Sequence, residues 1–264
     1  MSGFSRAWLA LREPADHRAR HDFFASGAAL DIHRVVDLAC GTGANFRYLA
    51  PRIAGVRHWT CIDHDADLLA AFAASLETPA DRPARPAVEL RRADLSAGIE
   101  RADLEPGTLL SASALLDLVS DAWIAEVVAA CTAARVPVLF ALSYDGRMQC
   151  TPEDPFDRAL RASINRHQHR DKGFGPALGP QAATRAAAAF TAAGFGIELA
   201  SSDWRIDTGE ATLQRELIDG WVAAAREIDD APELERWRQR RIVEIDSDRL
   251  AIVVGHVDLL AIPR

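Results

Sequence analysis

None of the four cysteines, Cys40, Cys61, Cys131 and Cys150, stands in a C-x-x-C pair. That spacing speaks against zinc ligands and against a disulfide framework, and leaves buried thiols of a reducing compartment. No metal site is expected. The stretch Met1–Arg6 has no apolar run of the secretory kind, and no uncharged apolar stretch reaches the roughly 18 residues that a membrane span needs. The expected setting is cytoplasmic and away from membranes. No internal repeat and no low-complexity linker divides the chain. Basic residues are outnumbered, 30 Lys and Arg against 38 Asp and Glu, for a net charge of −8. An acidic surface repels phosphate backbones, which speaks against nucleic acid as a partner. The one basic cluster, Arg236, Arg238, Arg240 and Arg241, alternates with Glu233, Glu235 and Glu244 and reads as a solvated helix face.

What is present suits one large α/β domain. The 264 residues are 49% hydrophobic, ample for a core. Their richness in Ala and Arg suggests a GC-rich bacterial genome. Apolar runs near 33–39, 57–63, 87–93, 108–114, 136–143, 196–203 and 249–260 alternate with helical patterns. Such alternation implies a mostly parallel sheet covered on both faces. Expected helices include Ala66–Glu77, Asp121–Ala134, Ala182–Ala193 closed by Gly194, and the amphipathic pair Glu210–Ile228 and Pro232–Ile245. Residues 1–31 have helical character and precede the first strand. Residues 145–180 and 209–246 read as helical insertions.

The most informative stretch is Val35–Phe46, an apolar run ending in a turn with glycines at 41 and 43, followed by a helical pattern. A dinucleotide fingerprint would carry a third small residue where Phe46 stands, and a P-loop would carry a Lys that is missing. What remains is Asp37-x-Ala39-x-Gly41-x-Gly43. This resembles motif I of the class I S-adenosylmethionine methyltransferases. An ordinary strand-to-helix turn is the plainer reading of the same residues. The resemblance implies a three-layer, Rossmann-like, seven-stranded and mostly parallel sheet with an antiparallel last strand. It implies S-adenosylmethionine as cofactor, with Asp37, Ala39, Cys40, Gly41 and Gly43 against its methionine part. Asp63, at the end of the second run, is implied for the ribose hydroxyls, with His64 beside the adenine or at the surface. Asp94 and Leu95, after the third run, are implied for the adenine edge, and Ser111 for the ammonium. In the N-terminal segment the Asp16-x-x-x-Arg20 spacing implies Arg20 for the methionine carboxylate, since a guanidinium fork suits a carboxylate. Arg18 is a second option, and an exposed ion pair a third.

For the acceptor the residues say less. The fourth run ends without the [D/N]-P-P-[Y/F] motif of amino methyltransferases, which lowers DNA and protein amides as substrates. Asp117 follows this run and Tyr144 ends the fifth, where both can face an acceptor. Within 145–180 the segment Asn165–Asp171 is dense in hydrogen-bonding groups, and His167 is the best candidate for a general base or an orienting group. A base is optional, because placement alone can lower a bimolecular barrier by on the order of 7–11 kcal/mol. Residues 173–180 form a Gly/Pro loop anchored by Phe174 and Leu178. In the last strand His256 and Asp258 share a face and read as a buried, mutually satisfied pair. The expectation is methyl transfer to a small-molecule acceptor, with a homodimer left open. A non-catalytic S-adenosylmethionine-binding subunit and a methyltransferase of protein side chains are the alternatives.

Overall fold

The computed structural model describes residues 4–25, 30–77, 86–99 and 104–264. Residues 1–3 and 26–29 of the expected N-terminal cover lie outside the described set. Helix α1 spans Arg6–Ala19 and starts where Ser5 Oγ accepts the Trp8 N–H at 3.1 Å. Then follow β1 (Arg34–Leu38), α2 (Ala44–Leu49), β2 (His58–Asp63), α3 (Ala66–Glu77), β3 (Ala87–Arg92), β4 (Thr108–Ser113), α4 (Asp121–Ala134) and β5 (Val138–Thr151). The second half comprises α5 (Asp157–Gln168), α6 (Ala182–Ala192), β6 (Phe195–Ser201), β7 (Trp204–Ile206), α7 (Ala211–Arg226), α8 (Pro232–Asp246) and β8 (Ala251–Pro263).

The strands form one sheet in the order β3-β2-β1-β4-β5-β8-β6, with β7 paired to β8. Strands β1 to β5 pair in parallel, and β8 runs antiparallel to both β5 and β6. This is the expected mostly parallel sheet with an antiparallel last strand, and β7 is one strand more than the sequence runs suggested. The central strands are apolar on both faces because both faces are covered. Val36 and Leu38 of β1 join Trp123, Val127 and Phe190 on one side, while Val35 joins Phe46, Trp59 and Phe72 on the other. Each such buried side chain contributes about 1.5–3 kcal/mol.

Strand β5 is longer than its apolar run. Residues 145–151, expected to belong to the insertion, continue the strand instead, and residues 148–151 pair with 251–254 at the start of β8. Met148 and Cys150 point inward while Arg147 and Gln149 point out, the period-two pattern of a half-buried strand. Two register shifts interrupt the β5–β8 ladder, and at the first of them Leu142 adopts φ +55°. Its N–H donates to Asp258 Oδ1 at 2.7 Å, which fixes the bulge.

The extension of β5, β7 and β8 carries α5, α7 and α8 around a separate core that includes Trp237 and Ile218. Here the reading of Arg241 as part of a solvated face is corrected, because the residue is fully buried. Its guanidinium grips Asp157 at 2.6 and 2.7 Å, Glu244 at 2.6 Å and the Pro152 carbonyl at 2.7 Å. Asp157, in the first turn of α5, supplies the countercharge that lets an arginine sit inside. Arg236, Arg238 and Arg240 do face solvent, each paired to a carboxylate. Among the described residues no helix is long and apolar enough to cross a membrane.

Candidate functional site

The carboxyl ends of β1, β2 and β4 converge on the glycine turn. After Asp37 the chain passes through Ala39 at φ +52°, Gly41 at +53° and Gly43 at +86° before α2 begins. Gly43 is obligatory for a packing reason: a Cβ there would lie 2.3 Å from the Phe72 ring. A Cβ on Gly41 would meet Leu9 at 3.3 Å, because α1 lies over the turn. Glu13 of α1 grips Arg47 at 2.6 and 2.7 Å, and His17 Nε2 donates to the Ala44 carbonyl at 3.1 Å. Trp204 of β7 holds the other flank of α1, its indole N–H donating to Asp16 at 3.0 Å.

Asp37 is fully buried. Its Oδ1 accepts from Asn45 Nδ2 at 2.5 Å, and the same amide nitrogen donates to Ser111 Oγ at 2.9 Å. Its Oδ2 has no partner among the described residues. Burial pushes the Asp37 pKa up to about 7, against the opposing pull of the Asn45 hydrogen bond and the Arg20 charge. Arg20 is 7% exposed, lies 4.2 Å over the Tyr48 ring, and donates from Nη1 to Asn45 Oδ1 at 2.5 Å. Its Nε has no partner among the described residues, and burial lowers its pKa. The ion pair suggested by the Asp16–Arg20 spacing does not form. Asp16 is held by Arg12 at 3.0 and 3.2 Å, while Arg20 lies beyond the last helical residue in extended conformation and turns toward α2. Arg18 goes elsewhere, to Glu210 on the surface.

Asp63 closes the turn from below. Its Oδ2 accepts the Gly41 N–H at 2.8 Å and its Oδ1 the Asp65 N–H at 2.9 Å, with one lone-pair direction left on each oxygen. Asp65, not Asp63, caps α3, taking the N–H groups of Asp67 and Leu68 at 2.8 and 3.2 Å. His64 is exposed, 3.4 Å from Asp63. Asp94 is exposed, and hydrogen bonds from the Ser96 hydroxyl and from its N–H at 2.9 Å hold its carboxyl below the usual range. Leu95 is buried, its carbonyl accepting the Trp123 indole N–H at 2.8 Å. Asp94 and Leu95 edge a cavity of about 270 Å³ whose apolar walls include Val36, Leu38, Ile62 and Leu110.

A second polar group lies toward β5. Asp117, in the short turn after β4, is buried, and burial pushes its pKa up to about 6 although it accepts backbone N–H groups of its own residue and of Tyr144. The Tyr144 hydroxyl donates to Asn165 Oδ1 at 2.8 Å, and burial raises its pKa. His167 has both ring nitrogens engaged: Nδ1 lies 3.3 Å from Lys172 Nζ and Nε2 3.3 Å from Glu227 Oε2. An ammonium has no lone pair, so Nδ1 accepts from Lys172 and Nε2–H donates to Glu227. Burial lowers the His167 pKa. Phe174 stacks edge-on against Trp123, and Leu178 donates to the Val119 carbonyl at 2.9 Å, anchoring the Gly/Pro loop. The expected His256–Asp258 pair is corrected. Asp258 takes the backbone N–H groups of Leu142 and His21 at 2.7 and 3.0 Å, while His256 packs between Tyr144 and Trp204 with Nδ1 unpartnered.

Asn45 and Lys172 were not singled out from the sequence. Asn45 follows the glycine turn by two residues, and only the fold brings it between Arg20, Asp37 and Ser111. Lys172 did carry a signal, since it is the only lysine in the chain. Among the described residues no group of three or more His, Cys, Asp or Glu side chains could hold a metal ion.

No protein-family model matches the chain, and no curated protein matches it. Solved structures do. The YcgJ protein of Bacillus subtilis superposes with a TM-score of 0.51 at 11% identity, over 98% of this chain and 99% of that one. A candidate methyltransferase of Bacillus halodurans superposes with a TM-score of 0.50 at 14% identity, over 90% of this chain and 95% of that one. At these identities the likeness is one of fold, and the fold is a Rossmann-like α/β sheet, mostly parallel with an antiparallel last strand.

Proposed function

We propose that the chain is an S-adenosylmethionine-dependent methyltransferase acting on a small molecule. The observation that carries this reading is a pair of unmet buried charges beside the glycine turn. Asp37 Oδ2 is an acceptor without a donor, and Arg20 Nε a donor without an acceptor. An unsatisfied buried polar atom costs about 1–3 kcal/mol, more when charged. A ligand presenting an ammonium and a carboxylate together, as an α-amino acid does, relieves both. The other groups fit the remainder of the cofactor. The free lone pairs of Asp63 suit two vicinal hydroxyls, and the apolar cavity edged by Asp94 suits a planar heterocycle with an amino group. S-adenosylmethionine, when bound, supplies an electrophilic methyl group on a sulfonium.

The chain's own contribution is binding, orientation and charge. Arg20 and Asp37 fix the amino-acid end, and Asp63 ties the turn to β2. Asp117 and Tyr144 face the acceptor side, where a carboxyl of pKa about 6 is largely ionised at neutral pH and can take a hydrogen bond or a proton from an acceptor O–H or N–H. His167 orients rather than abstracts, since neither ring nitrogen is free. Calorimetry with S-adenosylhomocysteine tests the cofactor. Saturable binding that vanishes in Asp37→Asn is expected, and absence of binding to the folded protein sinks the reading.

A further inference from the structure

Lys172 is the only lysine in a chain otherwise rich in arginine. It lies in the turn that follows α5, half-buried, where the charge of Asp117 reaches it. Its ammonium donates to His167 Nδ1 at 3.3 Å, and His167 is held from behind by Glu227 at 3.3 Å. That arrangement fixes the ammonium without neutralising it. The acidic groups whose charge reaches it are Glu227 and Asp117, yet among the described residues neither stands within ion-pair distance. Glu227 is already engaged, 2.8 Å from Arg170 as well as beside His167. The other cation bearing on Asp117, Arg12, is bridged by Asp16 at 3.0 Å. Lys172 is therefore a half-buried, positioned cation without a direct countercharge.

A cation in that state is drawn to an anion more strongly than one in water, because part of its hydration is already lost. Burial lowers its pKa, and the charges of Glu227 and Asp117 offset that only in part. Two N–H donors of Nζ remain for a ligand. We propose that Lys172 binds an acidic group of the methyl acceptor, so that the acceptor is a small carboxylate- or phosphate-bearing molecule held between Lys172 and Asp117. The parallel with Arg20 is direct: each unpaired cation answers one anionic group, Arg20 that of the cofactor and Lys172 that of the acceptor. The word acceptor rests on the methyl-transfer reading; the anion site does not.

The single lysine makes the test clean, because protein grown on isotope-labelled lysine gives one side-chain NMR signal. Acetate, benzoate and inorganic phosphate are titrated, at matched ionic strength, into protein saturated with S-adenosylhomocysteine, with benzamide as the neutral control. At least one anion shifts the Lys172 signal saturably and raises its pKa by about 1 or more, while benzamide does not. By calorimetry the same anion binds at least about tenfold more weakly to Lys172→Gln, a loss of ~1.4 kcal/mol, and Lys172→Arg keeps most of the affinity. If none of the three anions moves the signal saturably, or if Lys172→Gln binds them unchanged, the proposal is overturned. Failure of S-adenosylhomocysteine to bind while an anion still shifts Lys172 overturns the methyltransferase reading instead, and with it the word acceptor, and leaves the anion site standing.

Discussion

Asp37 and Arg20, a buried carboxylate and a buried guanidinium, meet only through the side chain of Asn45, at 2.5 Å from each. The indirect contact leaves one oxygen of Asp37 and one nitrogen of Arg20 idle. It also leaves Asp37 half protonated near neutrality, at a pKa of about 7. An incoming ammonium needs the ionised form, so binding drives a proton off. Affinity for S-adenosylhomocysteine is expected to fall by up to about tenfold for each pH unit below about 7 and to level off above it. Calorimetry in buffers of different ionisation enthalpy will show proton release on the acidic side. A pH-independent affinity with no proton release contradicts the role given to Asp37.

The same shift makes a claim about the free protein. The folded-state pKa of Asp37 lies above its ordinary value, so the folded protein holds the proton more tightly than the unfolded chain does. Its contribution to stability is complete below the unfolded value near 4 and is lost as pH rises through about 7. Asp37→Asn removes the charge while its amide oxygen can still accept from Asn45. The variant should be more stable than the parent in mildly alkaline buffer, by on the order of 1–3 kcal/mol, with little difference in acid. Thermal melts across pH measure this, and the variant should have lost its cofactor affinity.

Gly43→Ala is expected to cost roughly 2–5 kcal/mol in denaturant unfolding. The site demands φ +86°, and the new methyl would sit 2.3 Å from the Phe72 ring. Combining it with Phe72→Leu should relieve the overlap and return part of the loss, leaving the backbone term. If the single variant unfolds like the parent, the turn has another way to accommodate a side chain.

Helices α3 and α4 were legible because their caps are local: Asp65 and Ser120 each bind N–H groups two or three residues on. The turn from Asp37 to Gly43 was legible for the same reason. Strand residues 145–151 were not. Their partner is β8, about a hundred residues away in sequence, and an Asp-Gly-Arg start imitates a loop. Asp63 was found but only half described, since its bonds to Gly41 and Asp65 depend on β1 and β2 being neighbours. The His256–Asp258 reading failed because facing the same way on one strand does not make two side chains partners. The bulge at Leu142 and the His21 N–H claim Asp258 first.

Asp63→Ala should therefore lower two quantities at once. A side chain that only met the ribose would affect affinity alone. Here the carboxylate also holds the N–H groups of Gly41 and Asp65, and bonds to a charged acceptor are worth roughly 1.5–3 kcal/mol each. Cofactor affinity should drop by one to two orders of magnitude, on the order of 1.4–2.8 kcal/mol. Unfolding of the ligand-free protein should also move to lower denaturant. Unchanged stability of the free protein contradicts the tether.

Arg241 offers a test of the architecture away from the site. Its guanidinium is fully buried and bonded to Asp157, Glu244 and the Pro152 carbonyl, which knits α8 to α5 and to the end of β5. Removing one member of a buried pair strands the other, and that costs more than the pair is worth. Arg241→Met should destabilise the protein by about 3–5 kcal/mol, although the replacement is apolar and long enough to fill much of the space. Arg241→Met with Asp157→Asn should recover a measurable part, because the stranded charge is gone while the Trp237 indole N–H can still be met at 2.8 Å. Chemical denaturation of the parent, both single variants and the double variant gives the coupling energy. A coupling near zero would mean that Arg241 is held by its carbonyl and by Glu244 alone, and that α5 reaches its position without Asp157.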